Sequence, residues 1–186
     1  MLHSAIHKLF APTISATIYA DRRKIIQMLP TIYANSLIAA FLKILKTQMS
    51  VTSELITATD GTLRNTNQHL TAFQCNAASG ETTKGILIGT GTADPSMSDY
   101  KLQTPAIDNI QHGAMGFTLN APTPSVYQLI LSRSFTNNTG AQLSIREVGL
   151  VVMHSSGLFL ADRSLYSVDL QNGLSVTFTY TLSVTL

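Results

Sequence analysis

Charge is scarce in this chain. Only 12% of its 186 residues are charged, tryptophan is absent, and cysteine occurs once, as Cys75. One cysteine excludes an intrachain disulfide and a cysteine-ligated metal site. No apolar run reaches the ~18–20 residues of a membrane span. The longest, Leu37 to Leu45, is too short and contains Lys43. The charged share is about half the usual one of roughly 25%. A free monomer generally carries more charge to stay soluble. A neutral, Thr-rich surface suits a subunit whose faces touch other subunits; a neutral secreted β-domain is the alternative. No secretion signal is expected, because Ile18 is poorly placed for cleavage after Ala20.

The net charge of +2 gives no argument for nucleic acid, but it is unevenly placed. Residues 1–50 hold six basic side chains against Asp21, a balance of +5. Residues 51–186 hold six basic and nine acidic ones, a balance of −3. The two parts are therefore suited to attract each other or neighbouring copies.

Three zones follow from pattern. Residues 1–20 read as an extended arm, since Pro12 and β-branched Thr13, Ile14, Thr17 and Ile18 disfavour a helix. Asp21 is placed to cap a short helix ending before Pro30, and Thr31 a second running to about Gln48. In the second, Leu37, Phe41, Ile44 and Leu45 form an apolar stripe at helical spacing, read as an assembly surface. From residue 51 the period becomes two. The clearest case is 174–186, where Leu174, Val176, Phe178, Tyr180 and Leu182 alternate with Ser and Thr. Strict alternation indicates a sheet with one buried face. Asn172-Gly173 marks a tight turn before it. Residues 92–124, rich in Pro and Gly, read as a long loop. The expectation is a mainly β protein: an antiparallel β-sandwich, jelly-roll or Ig-like, spanning 51–186. An N-terminal arm with one or two helices spans 1–50. The body is expected to fold without the arm, and residues 1–20 to be ordered by a neighbouring chain.

The segment "SFTNNTGAQLSIREVGLVV" (134–152) reads as a hairpin with a charged pair, Arg146-Glu147, inside its second strand. Apolar parity shifts there, from Leu143 and Ile145 to Val148, Leu150 and Val152, which suggests a β-bulge. Glu147 is then aimed at a basic partner, with Arg133 and Arg163 as the candidates for a structural clamp. A catalytic role needs a second positioned acid or base, and none lies nearby in sequence. Gly89-Thr90-Gly91 lacks the third glycine and the helix of a dinucleotide loop, and reads as a turn. His3 and His7 have i, i+4 spacing but no third ligand. Asp94 and Asp99 read as ordinary loop residues rather than calcium ligands. Asn137-Asn138-Thr139 is a glycosylation sequon read as turn chemistry. No catalytic residue, cofactor or metal is expected.

Three stretches, "GILIGTGTADPSMSDYKL" (85–102), "SRSFTNNTGAQLSIREVGLVV" (132–152) and "LFLADRSLYSVDLQNGLSVTFTYTLSV" (158–184), resemble small virion structural proteins of tailed bacteriophages. The resemblance covers roughly 84–186 and is architectural. It implies a non-enzymatic virion subunit, made in the host cytoplasm, whose partners are its own copies and other virion proteins. It leaves head decoration, neck or collar, and tail attachment open. A ligand- or carbohydrate-binding β-sandwich module is the alternative, disfavoured by the missing tryptophan.

Overall fold

The computed structural model describes residues 12–20, 24–33, 39–50 and 52–185, with side chains through 183. Among them are twelve strands and one helix. The seven-stranded sheet contains β1 (Thr13–Ala20), β2 (Lys24–Met28), β3 (Ile32–Tyr33), β7 (Ile110–His112), β8 (Gly116–Thr123), β9 (Val126–Asn137) and β12 (Ser175–Thr185). Its centre is β1-β12-β9. β2 and β3 share the outer edge of β1, with Pro30 between them; β7 and β8 share that of β9. The three-stranded sheet runs β11 (Gly157–Leu170), β10 (Leu143–His154), β6 (Gly85–Gly89). A small ribbon, β4 (Glu54–Thr57) with β5 (Leu63–Thr66), and α1 (Ala39–Met49) complete the chain. All strand pairs are antiparallel.

The two larger sheets share one apolar core, an arrangement compatible with a β-sandwich. Tyr166 of β11 meets Phe178 of β12 edge-on at 5.4 Å between ring centroids. Phe135, Phe178, Phe159, Ile86 and Ile145 are all buried in the same cluster. Each such side chain contributes about 1.5–3 kcal/mol on burial.

Several expectations are corrected. The 134–152 segment is not a hairpin: β9 and β10 lie in different sheets, and 138–142 arches between them. Asn137 holds the arch. Its Oδ1 accepts from the N–H and hydroxyl of Thr139, and its Nδ2 donates to the carbonyls of Ala141 and Leu170. Asn172-Gly173 forms the expected tight turn, with Leu174 N–H donating to the Gln171 carbonyl, and carries β11 into β12 across the sheets. Asn172 Oδ1 accepts from Gly140 N–H, so the two arches are tied together.

Residues 13–20 are not a free arm. β1 pairs with β12 from Thr13 to Tyr19, and Ile14, Ala16 and Ile18 face the core. The expected helix after Asp21 is strand β2, and the second helix starts at Ala39, after β3. α1 also adds Ala40 and Ile44 to the core. The presumed loop 92–124 contains β7 and β8, with Pro122 at an irregularity of an outer strand, where proline is tolerated. Among the described residues no helix is long and apolar enough to cross a membrane.

Candidate functional site: a buried carboxylate clamp

Arg146 and Glu147 part company. Arg146 bonds to Asp169 on the surface at 2.7 Å. Glu147 is fully buried at the centre of β10, opposite Gly89 of β6 and Leu165 of β11. A register shift lies between Ile145 and Glu147, as parity suggested, but the additional residue falls on β11. Glu147 through Val152 is buried on both faces, which removes any simple alternation there.

Four donors converge on the Glu147 carboxylate. Oε1 accepts from the N–H of Thr104 at 2.7 Å and of Gly91 at 3.2 Å. Oε2 accepts from Gln103 N–H at 3.0 Å and Arg163 Nε at 2.7 Å. The glycines of Gly89-Thr90-Gly91 now have a cause. A Cβ on Gly89 would stand 2.5 Å from Oε1, and one on Gly91 2.6 Å from it. The motif that resembles a phosphate cradle holds the protein's own carboxylate.

Arg163 completes the clamp. Its Nη1 reaches Asp99 Oδ2 at 2.9 Å and its Nη2 the Ala93 carbonyl at 2.9 Å. Burial pulls its pKa down, but the hydrogen bonds and charges of Glu147 and Asp99 outweigh this and leave it raised. Asp99 is thereby engaged as an ion-pair partner. The network pins segment 91–104 across the three-stranded sheet, with Leu102 packed against Gly149.

Arg133 is not part of the clamp. It is buried on β9 and donates to the carbonyls of Gly113 at 2.8 Å, Ile86 at 2.9 Å, Lys84 at 3.0 Å, and Glu81. Desolvation lowers its pKa. Parity explains the separation: the core-facing side of β9 points Arg133 toward 81–86, away from the far face where Glu147 meets Arg163.

Two buried polar groups escaped the sequence reading. Asp162, beside Arg163 in "LADR", accepts from Tyr180 Oη at 2.9 Å and from Ser164 Oγ. Burial, then the charge of Asp162, pushes the Tyr180 pKa well up. His112 is 2% exposed, and neither ring nitrogen has a hydrogen-bond partner among the described residues. Desolvation, then the Arg133 charge, lowers its pKa. The only early signal for either was a charged or imidazole side chain within a β-prone segment.

The expected assembly stripe is divided. Ile44 is fully buried in the core, and Phe41 packs on Phe73 at 5.3 Å. Leu45 is 37% exposed, and Leu37 lies outside the described residues. The buried face is Ala40, Ile44 and Thr47, with Ile44 the large apolar side chain that anchors α1 to the body. Leu42, Leu45 and Met49 are left outward. His3 and His7 also lie outside the described residues. Comparisons with family models, curated proteins and solved structures found no match.

Proposed function

We propose that this chain is a non-enzymatic structural subunit of a tailed-phage virion. It self-associates and docks on the particle as a head-decoration, neck or collar, or tail component. The virion assignment rests on the sequence resemblance; the self-association rests on β2. All five β2 residues are exposed, with Ile25, Ile26 and Met28 at 55%, 51% and 75%. Among the described residues nothing pairs with the outer edge of this strand. An exposed apolar edge strand is a template for another strand, and monomers usually blunt such edges with charge or bulges. Within β2 the one charge is Lys24, and a bulge at Ile26 interrupts its pairing with β1, yet three of its five side chains remain apolar and exposed. A second copy adding a strand here covers both the open backbone and the apolar side chains. The jelly-roll or Ig-like type belongs to the same proposal, supported by the paired arches between the sheets. The role of Glu147 fits a building part, because its carboxylate holds a loop rather than a substrate.

The test is mass spectrometry of purified phage particles from cells producing the chain. The proposal expects it at a stoichiometry of many copies per particle. Recovery only in the soluble host fraction would overturn the virion assignment.

A second reading, a ligand- or carbohydrate-binding module, draws on one cavity of about 500 Å³ on the seven-stranded sheet. Tyr19, Gln111, Ser134, Thr136, Ser175 and Thr177 line it with hydroxyls, one amide and one ring. Saturable binding of a soluble glycan, lost in Tyr19→Ala, is the result that would favour this reading.

A further inference from the structure

The outward face of the seven-stranded sheet is uncharged at its centre. The positions of β1, β12 and β9 that point away from the core are Ser, Thr, Gln and Tyr, with Ile130 the one aliphatic exception. A solvated protein surface ordinarily carries Lys and Glu among its hydroxyls. Tyr19, Ser175 and Thr136 form one row across the three strands, and Thr17, Thr177 and Ser134 the next. Gly113 stands beside the second row and lines the cavity of about 500 Å³. It has no positive φ, so the backbone there does not require glycine. A Cβ at this position would lie 2.2 Å from Ser134 Oγ. The missing side chain therefore leaves room for the serine hydroxyl and keeps the cavity open. The wall is fixed in place: Gly113 N–H donates to the Ser134 carbonyl at 2.8 Å, and its own carbonyl accepts from Arg133 Nε at 2.8 Å.

We infer that this cavity and the hydroxyl rows beside it bind a linear, neutral polysaccharide laid along the strands. The inference deepens the second reading above and rests on it; the virion assignment is independent of it. Three features select the ligand. First, among the described residues no charged side chain lines the cavity, so nothing there balances the charge of a sulfate, carboxylate or amine. Second, the hydroxyls of Ser134 and Thr177 and the amide of Gln111 have no protein hydrogen-bond partner among the described residues, whereas Thr136 and Ser175 pair with each other at 2.7 Å. A free hydroxyl both donates and accepts, which matches ligand hydroxyls of either sense. Tyr19 adds a ring with a polar tip at one end of its row, suited to the face of a sugar. Third, the array outruns the cavity. From Ser175 through Thr177 and Thr179 to Thr181 it extends ~20 Å along β12, at ~3.3 Å per residue. A linear chain following this track repeats the same contacts, so its affinity grows with its length.

The test is an array of neutral and acidic oligosaccharides of graded length, linear and branched, probed with the full chain, Gly113→Ala, Thr177→Val and Tyr19→Ala. Linear neutral members should bind, and more tightly as they lengthen toward the ~20 Å track. Thr177→Val keeps the β-branched shape and removes one hydroxyl, and should weaken binding about two- to tenfold, the worth of one hydrogen bond. Gly113→Ala turns the Ser134 hydroxyl aside and should weaken binding at least as much, with circular dichroism reporting whether the fold is kept. If Gly113→Ala fails to fold, Thr177→Val decides the question alone. Binding confined to acidic or branched glycans, or neutral binding that Tyr19→Ala abolishes and Thr177→Val leaves intact, would overturn the inference and spare the second reading. Binding to no member of the array would overturn both.

Discussion

Replacing Glu147 with glutamine keeps the shape of the side chain and removes its charge. One oxygen can still accept from Gly91 and Thr104. The new amide nitrogen then faces Gln103 N–H and Arg163 Nε, donor against donor. Turning the amide over moves the same conflict to Gly91 and Thr104. Each buried donor left unsatisfied costs about 1–3 kcal/mol. Arg163, 2% exposed, keeps Asp99 as its one remaining carboxylate. Breaking a buried ion pair from one side costs about 3–5 kcal/mol. The two routes agree, and the loss should sit near 3–5 kcal/mol. At roughly 2–4 °C per kcal/mol for a domain of this size, Tm should fall by on the order of 10 °C. Chemical denaturation followed by circular dichroism measures the change directly. The double variant Glu147→Gln/Arg163→Met should lose less than the sum of the single losses, because the two groups act as a pair. A single-variant loss below about 1 kcal/mol, the scale of an exposed pair, would refute the clamp.

Gly91→Ala sets a Cβ against Glu147 Oε1 and Gln103 Cβ, and should destabilise by about 1–3 kcal/mol, read by the same denaturation curves. A chain starting at Thr52 removes Ile14, Ile18 and Ile44 from the core and uncovers one edge of β12. Three buried isoleucines are worth about 4.5–9 kcal/mol of a total near 5–15, so it should lack the cooperative β-rich transition of the full chain. His112 has a folded pKa below its ordinary value, so the unfolded chain takes up its proton first as pH falls. Its contribution to stability is full above about pH 6.5 and is lost progressively below it. His112→Phe should flatten the stability profile between pH 7 and 5, and an unchanged slope would contradict this.

Legibility followed the range of the forces involved. Strands β9 and β12 were readable because one face of each is buried more than the other, which stamps period two on the sequence, whereas the middle of β10 and of β11 is buried on both faces. Which strands pair was not readable. A turn such as Asn137–Gly140 has the same local chemistry whether it closes a hairpin or arches between sheets. The choice depends on Asn137 reaching Leu170, 33 residues away. Thr13–Ala20 looked unlike core because Ala16 is small and the strand is framed by Thr and Tyr, yet Ile14, Ala16 and Ile18 are buried. The pairing of Glu147 with Arg163 was one of two options, and strand parity alone does not choose between sheets. The backbone donors at 91, 103 and 104 leave no side-chain pattern to read, apart from the glycines that make room for them.

Sedimentation velocity of the full chain beside Ile26→Lys shows whether the uncovered apolar edge at β2 joins copies of this protein. A concentration-dependent oligomer is expected for the full chain and a monomer of unchanged fold for Ile26→Lys. A full chain that stays monomeric at every concentration, or an Ile26→Lys variant that associates as before, would contradict it.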